Sequence, residues 1–338
     1  TTFARMIIKE ALKEGKHVVT ANKALLAEYG DEIFELAHHT RRWVRFEASV
    51  GGGIPCIKAL REGLVANTIE SVYAIINGTT NYILTQMTET GMSFSEALKN
   101  AQKKGYAEAN PTLDIEGVDA AHKLAILVRF AFGGRVKFSE IYSEGITRIS
   151  SDDIAFAKEF GYVIKLLAIA KKTKNGVEAR VQPTLLPRSH ILSSVNQSFN
   201  AVLLRGDEVG DVMFYGRGAG PHPTASAVIA DLLDIAKNNI EGPVDDKTVI
   251  RALGNRIDIK NITSILSRYY LRFYVIDKPS VLARISKILG ACQVSISDVI
   301  QRERSEGKVV PLILLTHESP EKDVRAAIRS INRLPFVK

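Results

Sequence analysis

No apolar run in this chain reaches the roughly 18–20 residues that a membrane-spanning helix needs, and no signal peptide opens it, so no membrane partner is expected. Cysteine is nearly absent. Cys56 and Cys292 lie far apart in sequence, which offers neither a metal cluster nor a disulfide framework and fits a reducing, cytoplasmic compartment. The formal net charge is +8, yet basic residues are interleaved with acidic ones almost everywhere. That pattern argues against nucleic acid and for an anionic small molecule as partner. The one local cluster, Lys171, Lys172 and Lys174, is expected to end a helix, where cations suit the macrodipole. Internal repeats and low-complexity tracts are missing, and so is the G-x-G-x-x-G turn of dinucleotide-binding domains.

What is present is an ordinary globular composition, 46% hydrophobic and 24% charged over 338 residues, enough for two or three domains. The opening reads as a helix (Phe3 to Glu14), a strand "HVVTA", a helix (Lys23 to His38) and a strand "WVRFEAS". This αβαβ alternation is that of a parallel, doubly wound sheet. After "GGGIP" the pattern changes to strand "TIESVYAIIN", helices from "GTTN", over Ser93–Lys104, Val118–Phe132 and Asp152–Lys172, and strands "VEARVQPTLL" and "FNAVLLRG". That mix predicts an α+β domain built on a sheet. A glycine loop "YGRGAG" opens a helix over about 221–239 that can return to the first domain, and 240–268 reads as a linker. From Tyr269 the order is βαββα, with strands "YYLRFYVID", "VSISDVIQRE" and "VVPLILLTH", one strand short of a ferredoxin-like βαββαβ module.

Five stretches carry candidate chemistry. In "GYAEANPTLDIEGVDAAHKLAIL" the side chains Tyr106, Glu108, Asp114, Glu116 and Asp119 precede Lys123, which stands inside an apolar helix with Asp119 one turn away. Convergent carboxylates around a half-buried lysine can orient a polar substrate and tune a proton donor. The alternative is a lysine that snorkels to solvent or makes an ordinary i,i+4 pair. "TANK", residues 20–23, ends a parallel strand where nucleotide ligands bind, or Asn22 simply caps a helix. "EASVGGGIP" joins the Glu47 carboxylate to glycine carbonyls, an oxygen set suited to a hard cation, or makes a tight turn. "NGTTNY" offers backbone N–H groups and Thr hydroxyls at a helix start, which ordinary capping explains as well. "GRGAG" either cradles a phosphate-bearing ligand or turns.

Together "GKHVVTANKALLA", "EASVGGGIP", "NGTTNYIL", "AQKKGYAEANPTLDIEGVDAAHKLAIL" and "FYGRGAGPHPTASAV" resemble homoserine dehydrogenases, in the family's order over residues 1 to about 237. Residues 269–338 resemble the amino-acid-sensing ACT domain of monofunctional bacterial members. The resemblance implies NAD(P)-dependent interconversion of L-homoserine and L-aspartate 4-semialdehyde in threonine, methionine and isoleucine biosynthesis. It implies an α/β and α+β multidomain fold: a remnant of a Rossmann-like NAD(P)-binding domain (1–50, with the returning helix), a catalytic and dimerisation domain (51–220), a linker (240–268) and an ACT domain (269–338). Lys123 takes the place of the general acid/base. Glu108, Asp119, Asp114, Tyr106, Thr79 and Lys23 fall at the substrate; Thr20, Ala21, Asn22, Lys23, Gly218 and Gly220 at NADP or NAD. Glu47, Val50, Gly52 and Ile54 match the positions that hold a monovalent cation, usually sodium. A homodimer or homotetramer is implied, with an amino-acid effector at the ACT domain.

Two positions depart from the family. Ser280 and Gln293 stand where glycine is usual, which weighs against a threonine site. The Ser280 hydroxyl is instead expected to cap the helix that follows it. Since Thr1 opens the chain and the phosphate turn is missing, a preceding segment needed for activity is also expected. The competing readings are an inactive fragment and a non-catalytic amino-acid-binding regulator; the latter has no use for Lys123.

Overall fold

The structure, a computed structural model, describes residues 2–241, 253–301 and 307–338. Residues up to Ile259 form one compact unit and Lys260–Lys338 a second. The first unit begins with α1 (Thr2–Lys13), β1 (Val18–Val19), α2 (Lys23–Thr40) and β2 (Val44–Arg45). The two strands are parallel, with Val18 opposite Val44. Both are shorter than "HVVTA" and "WVRFEAS" predict, and β2 ends where the chain turns into a 3-10 segment at Glu47–Ser49.

The larger sheet holds β3 (Ile69–Ile75), β4 (Tyr142–Ser143), β5 (Tyr162–Thr173), β6 (Gly176–Pro187), β7 (Phe199–Gly206) and β8 (Gly210–Arg217), in the order β4-β6-β5-β3-β7-β8. One face packs against α4 (Gly78–Thr90), α7 (Val118–Phe132) and α8 (Ser151–Glu159). Every residue of α7 from Asp119 to Ala131 is buried, as an all-round apolar helix must be. On the other face, Ile75, Leu167, Ile169 and Leu203 pack with Leu192 and Val195.

The structure corrects the helix expected over Asp152–Lys172. Only Ser151–Glu159 is helical; Gly161, at φ +82°, ends it, and Tyr162–Thr173 is a strand. Its apolar run "VIKLLAIA" is buried on both sides between β3 and β6, and such a run has no periodicity to separate strand from helix. Lys171, Lys172 and Lys174 therefore lie at a hairpin and face no helix dipole. "GDVMFYGR" is likewise strand β8, which confines the glycine loop to a short turn before α9 (Pro221–Glu241). As expected, α9 returns to the first elements: Asp234 pairs with Arg45 at 2.7 Å and Asp231 accepts from the Glu47 N–H at 2.9 Å.

Of the stretch read as a linker, residues 242–252 lie outside the described ones. The flanks are not free tethers. Ile257 N–H donates to the Arg135 carbonyl at 2.9 Å, and β9 (Leu266–Ser267) pairs with β13 (Ser319–Pro320) in the second unit. There β10 (Tyr270–Ile276), β11 (Ile296–Gln301) and β12 (Val309–Thr316) form an antiparallel sheet in the order β10-β12-β11. Residues 302 and 303, expected to extend β11, lie outside the described residues. The helices Val281–Ala291 and Glu321–Ile331 share a core with this sheet. Phe336 and Lys338 run beside β10 through the bonds Ile276 N–H to Phe336 O, 2.8 Å, and Lys338 N–H to Tyr274 O, 2.9 Å. Ser280 is not the expected cap. It stands at φ +71° and its hydroxyl bonds no helix N–H, since a left-handed residue does not aim its side chain down the first turn as an extended N-cap does.

Candidate active site

Asp119 lies in the first turn of α7, and the i,i+4 spacing brings Lys123 against it. Lys123 Nζ donates to Asp119 Oδ2 and to the Ile76 carbonyl, both at 2.7 Å. The other carboxylate oxygen, Oδ1, meets Lys23 Nζ at 2.9 Å. One carboxylate thus bridges two ammonium groups from opposite parts of the unit, the start of α2 and the middle of the sheet-packed helix. Asp119 and Lys123 are 6% and 8% exposed, so water screens that pair little, while the Lys23 side chain is 41% exposed and its contact is screened more. Burial opposes the charge on Asp119, but Lys123, Lys23 and the hydrogen bonds from Lys123 and Asn77 outweigh it and hold the carboxyl well below the usual range.

Asn77 precedes α4 and does two jobs. Its Oδ1 accepts from Thr80 N–H at 2.8 Å, capping the helix, while Nδ2 donates to Asp119 Oδ2 at 2.9 Å and Asp114 Oδ1 at 2.6 Å. Asp114 is raised above the ordinary carboxyl value, by burial first and by the Asp119 charge, against the Asn77 bond. Thr79 donates to the Tyr106 carbonyl at 2.6 Å. Glu108 is exposed, and its carboxylate has no hydrogen-bond or ion-pair partner among the described residues. Sequence reasoning thus placed Lys123, Asp119, Asp114, Lys23, Thr79 and Tyr106 where the structure joins them, and overlooked Asn77. Its signal was available: an asparagine before a helix start is a cap by residue type, but only the fold aims its second amide group at two acids.

At the end of β1, Thr20 Oγ1 accepts from Asn22 N–H at 3.1 Å and Asn22 Oδ1 caps α2 through Leu25 N–H at 3.1 Å. Ala21 lies between them, so the capping alternative for Asn22 holds alongside any ligand role. Gly52, at φ +57°, abuts the second glycine loop: a Cβ there would stand 2.7 Å from the carbonyl carbon and oxygen of Gly218. The loop of Val50, Gly52 and Ile54 and the loop of Gly218 and Gly220 therefore touch backbone to backbone, which only glycine permits.

The buried Glu47 carboxylate accepts Ile57 N–H at 2.9 Å and Lys58 N–H at 2.7 Å, one on each oxygen. Burial pushes it up to about 7, against those two bonds and with help from the Asp231 charge. Each oxygen keeps a further acceptor site, and among the described residues the carbonyls of Val50 and Ile54 accept only from Cys56, Sγ at 3.5 Å and N–H at 2.8 Å. An oxygen-rich, buried carboxylate of this kind fits a hard monovalent cation.

Comparison with known proteins supplies the family. The homoserine dehydrogenase family model matches residues 55–233, and the model of the homoserine dehydrogenase NAD-binding domain matches 1–47. A homoserine dehydrogenase from Neisseria gonorrhoeae is 47% identical, over 100% of this chain and 78% of its own length. The crystal structure of a homoserine dehydrogenase from Thiobacillus denitrificans superposes with a TM-score of 0.93 at 47% identity, covering 99% of this chain and 77% of that one. A hyperthermophilic archaeal homoserine dehydrogenase in complex with NADPH aligns over 71% of this chain and 69% of its own at 32% identity and a TM-score of 0.61. By this likeness along its whole length, the chain belongs to the homoserine dehydrogenase family, NAD(P)-dependent oxidoreductases acting on a CH–OH group.

Proposed function

We propose that Lys123 is the general acid/base of L-homoserine oxidation and of the reverse reduction of L-aspartate 4-semialdehyde. The observation that carries the reading is the buried Asp119 carboxylate spanning the buried Lys123 and the half-exposed Lys23. Bound nicotinamide, as NADP or NAD, supplies the hydride acceptor and donor. Lys123, as the unprotonated amine, takes the substrate hydroxyl proton during oxidation and as ammonium returns it to the aldehyde oxygen. Asp119 and the Ile76 carbonyl hold Nζ in place, so no reorganisation accompanies the transfer. The exposed Glu108 carboxylate suits the substrate ammonium group, with Tyr106, Thr79 and Asp114 lining the same end. Thr20, Ala21, Asn22, Gly218 and Gly220 flank the cofactor, a reading supported by their place at a parallel strand end and in a glycine loop. Glu47 with the carbonyls of Val50, Gly52 and Ile54 would hold a sodium-like cation that pins the loop against Gly218.

In the full-length enzyme, Lys123→Ala is expected to lower turnover by about 10²–10⁴-fold, the usual worth of a positioned acid/base. Steady-state kinetics with kcat within about tenfold of wild type would remove Lys123 from this role.

The second unit is an ACT-like module, a reading supported by its strand–helix–strand–strand–helix order and antiparallel sheet. Residues 1–50 and α9 act as part of a Rossmann-like domain, 51–220 as the catalytic and dimerisation domain, and the site of action is the cytoplasm.

A further inference from the structure

Lys165, in the middle of β5, is 1% exposed and belongs to no step above. Its Nζ donates to the Val195 carbonyl at 2.6 Å, Asn196 Oδ1 at 2.9 Å and Asn81 Oδ1 at 3.1 Å. Three donors thus meet three oxygens, all of them neutral, and among the described residues no carboxylate bonds it. A charge is buried here at a cost that a methionine of similar volume would avoid. The cost shows in the amine itself: burial pulls it down to about 8, with Glu89 opposing.

What the ammonium grips is the start of the segment 195–200, a turn that runs into the first two residues of β7, and that segment touches both halves of the site. Ser198 puts its carbonyl oxygen 2.9 Å from where a Cβ on Gly78 would stand, directly behind the Asn77–Thr79 start of α4. Asn200 puts Nδ2 1.8 Å from where a Cβ on Gly218 would stand, behind the cofactor-side loop. Its Oδ1 is buried without a partner. Gln197, just before them, is held at φ +58°, a left-handed conformation that non-glycine residues keep only when the surroundings enforce it. Thr85 Oγ1 enforces it by accepting from Gln197 N–H at 3.0 Å, and Glu89 by accepting from Gln197 Nε2 at 3.1 Å. Asn81 closes the circuit. It donates to the Val195 and Phe199 carbonyls at 3.1 and 3.0 Å, and it lies one helical turn from Asn77, whose amide holds Asp119 and Asp114.

We infer that Lys165 is a positioning residue for the reaction: it fixes the turn at 195–200 as a spacer that sets the distance between the substrate end at α4 and the cofactor-side loop at Gly218. The inference rests on the assignment of those two ends above. A lysine serves where an apolar residue would not, because three directed bonds specify one turn geometry and packing alone tolerates several.

The test uses full-length enzyme with Lys165→Met, which keeps volume and removes the three bonds. Misalignment between hydride donor and acceptor acts in the transition state. The expected result is therefore a kcat about tenfold or more below wild type, with the KM for homoserine within about twofold, because no substrate-end side chain has changed. Should Lys165→Met fail to fold, Asn196→Ala removes one of the three bonds from the turn's side and is expected to give the same split in weaker form. A folded variant with wild-type kcat and a lowered Tm would make Lys165 a structural staple and overturn the inference, as would a change confined to KM. Lys123→Ala measured alongside keeps the two readings apart. If it stays active, the site assignment fails; if it is inactive while Lys165→Met is unimpaired, only the positioning role fails.

Discussion

Asp119 is the side chain on which the pocket's electrostatics turn. Its carboxylate has two ammonium partners and one amide donor, so the charged form is favoured in the folded state and the carboxyl sits below its ordinary value. The sign follows from linkage. A carboxyl lowered on folding contributes stability above its unfolded value, about 3.9, and loses it as pH falls toward the folded value. Asp119→Asn lacks that contribution and also leaves Lys123 and Lys23 without their shared counter-charge. The variant is expected to be less stable than wild type at neutral pH, with the gap steady down to about pH 5 and shrinking as pH falls from about 4 to about 2. Urea unfolding midpoints across that range check it; a gap that stays constant would mean that the carboxylate's ionisation contributes nothing. At this scale the residue types and their spacing were readable: the four-residue step from Asp119 to Lys123 predicts their contact on any helix. Lys23 was readable as a motif but not as a partner of Asp119, because the two stand 96 positions apart and the chain between them has to fold before they meet.

Helix starts show where element-scale reasoning succeeds and where it misses. Ser93 and Ser150 cap their helices reciprocally with Glu96 and Asp153, as short side-chain oxygens at helix starts do. Ser280 has the same residue type and no such bond, because its backbone is left-handed at φ +71°. Gln293, the other position departing from glycine, is also left-handed at φ +59°. Both keep the conformation that glycine adopts freely and add a Cβ. Left-handed backbone costs a non-glycine residue about 1–2 kcal/mol, while glycine loses about 0.5–1 kcal/mol more conformational freedom on folding. Ser280→Gly is therefore expected to stabilise the protein by up to about 1 kcal/mol, read as an upward shift in the thermal midpoint of the second unit. The same substitution opens the backbone before the helix Val281–Ala291 to a small ligand. Weak or absent inhibition by L-threonine is expected for the wild type, with sensitivity appearing in the glycine variant. Sub-millimolar inhibition of the wild type would show that the serine is no obstacle.

At the scale of the whole molecule, the face of the six-stranded sheet that packs against Leu192 and Val195 is only partly covered among the described residues. Tyr73, Phe199 and Met213 are half-buried at the margin of its apolar cluster, and Tyr215, 52% exposed, stacks on Phe199 at 5.1 Å between ring centroids. This face suits a second copy of the chain, in keeping with the homodimer or homotetramer implied by the family resemblance. Light scattering is expected to give a multiple of the subunit mass, reduced by Tyr215→Arg. A monomeric wild type would exclude the arrangement.

The sequence by itself determined the family, the order of chemical motifs, the buried helix around Lys123 and the glycine loops, because each depends on residues within one or two turns of each other. Tertiary structure decided the rest. It made Tyr162–Thr173 a strand, since a run buried on both sides carries no periodic signal and only pairing with β3 and β6 selects its form. It set Asn77 between two acids, Gly52 against Gly218, and Lys165 under the turn at 195–200. These contacts join residues 30 or more positions apart, and local propensity has no means of choosing such partners. Close packing and the need to satisfy every buried polar group choose them.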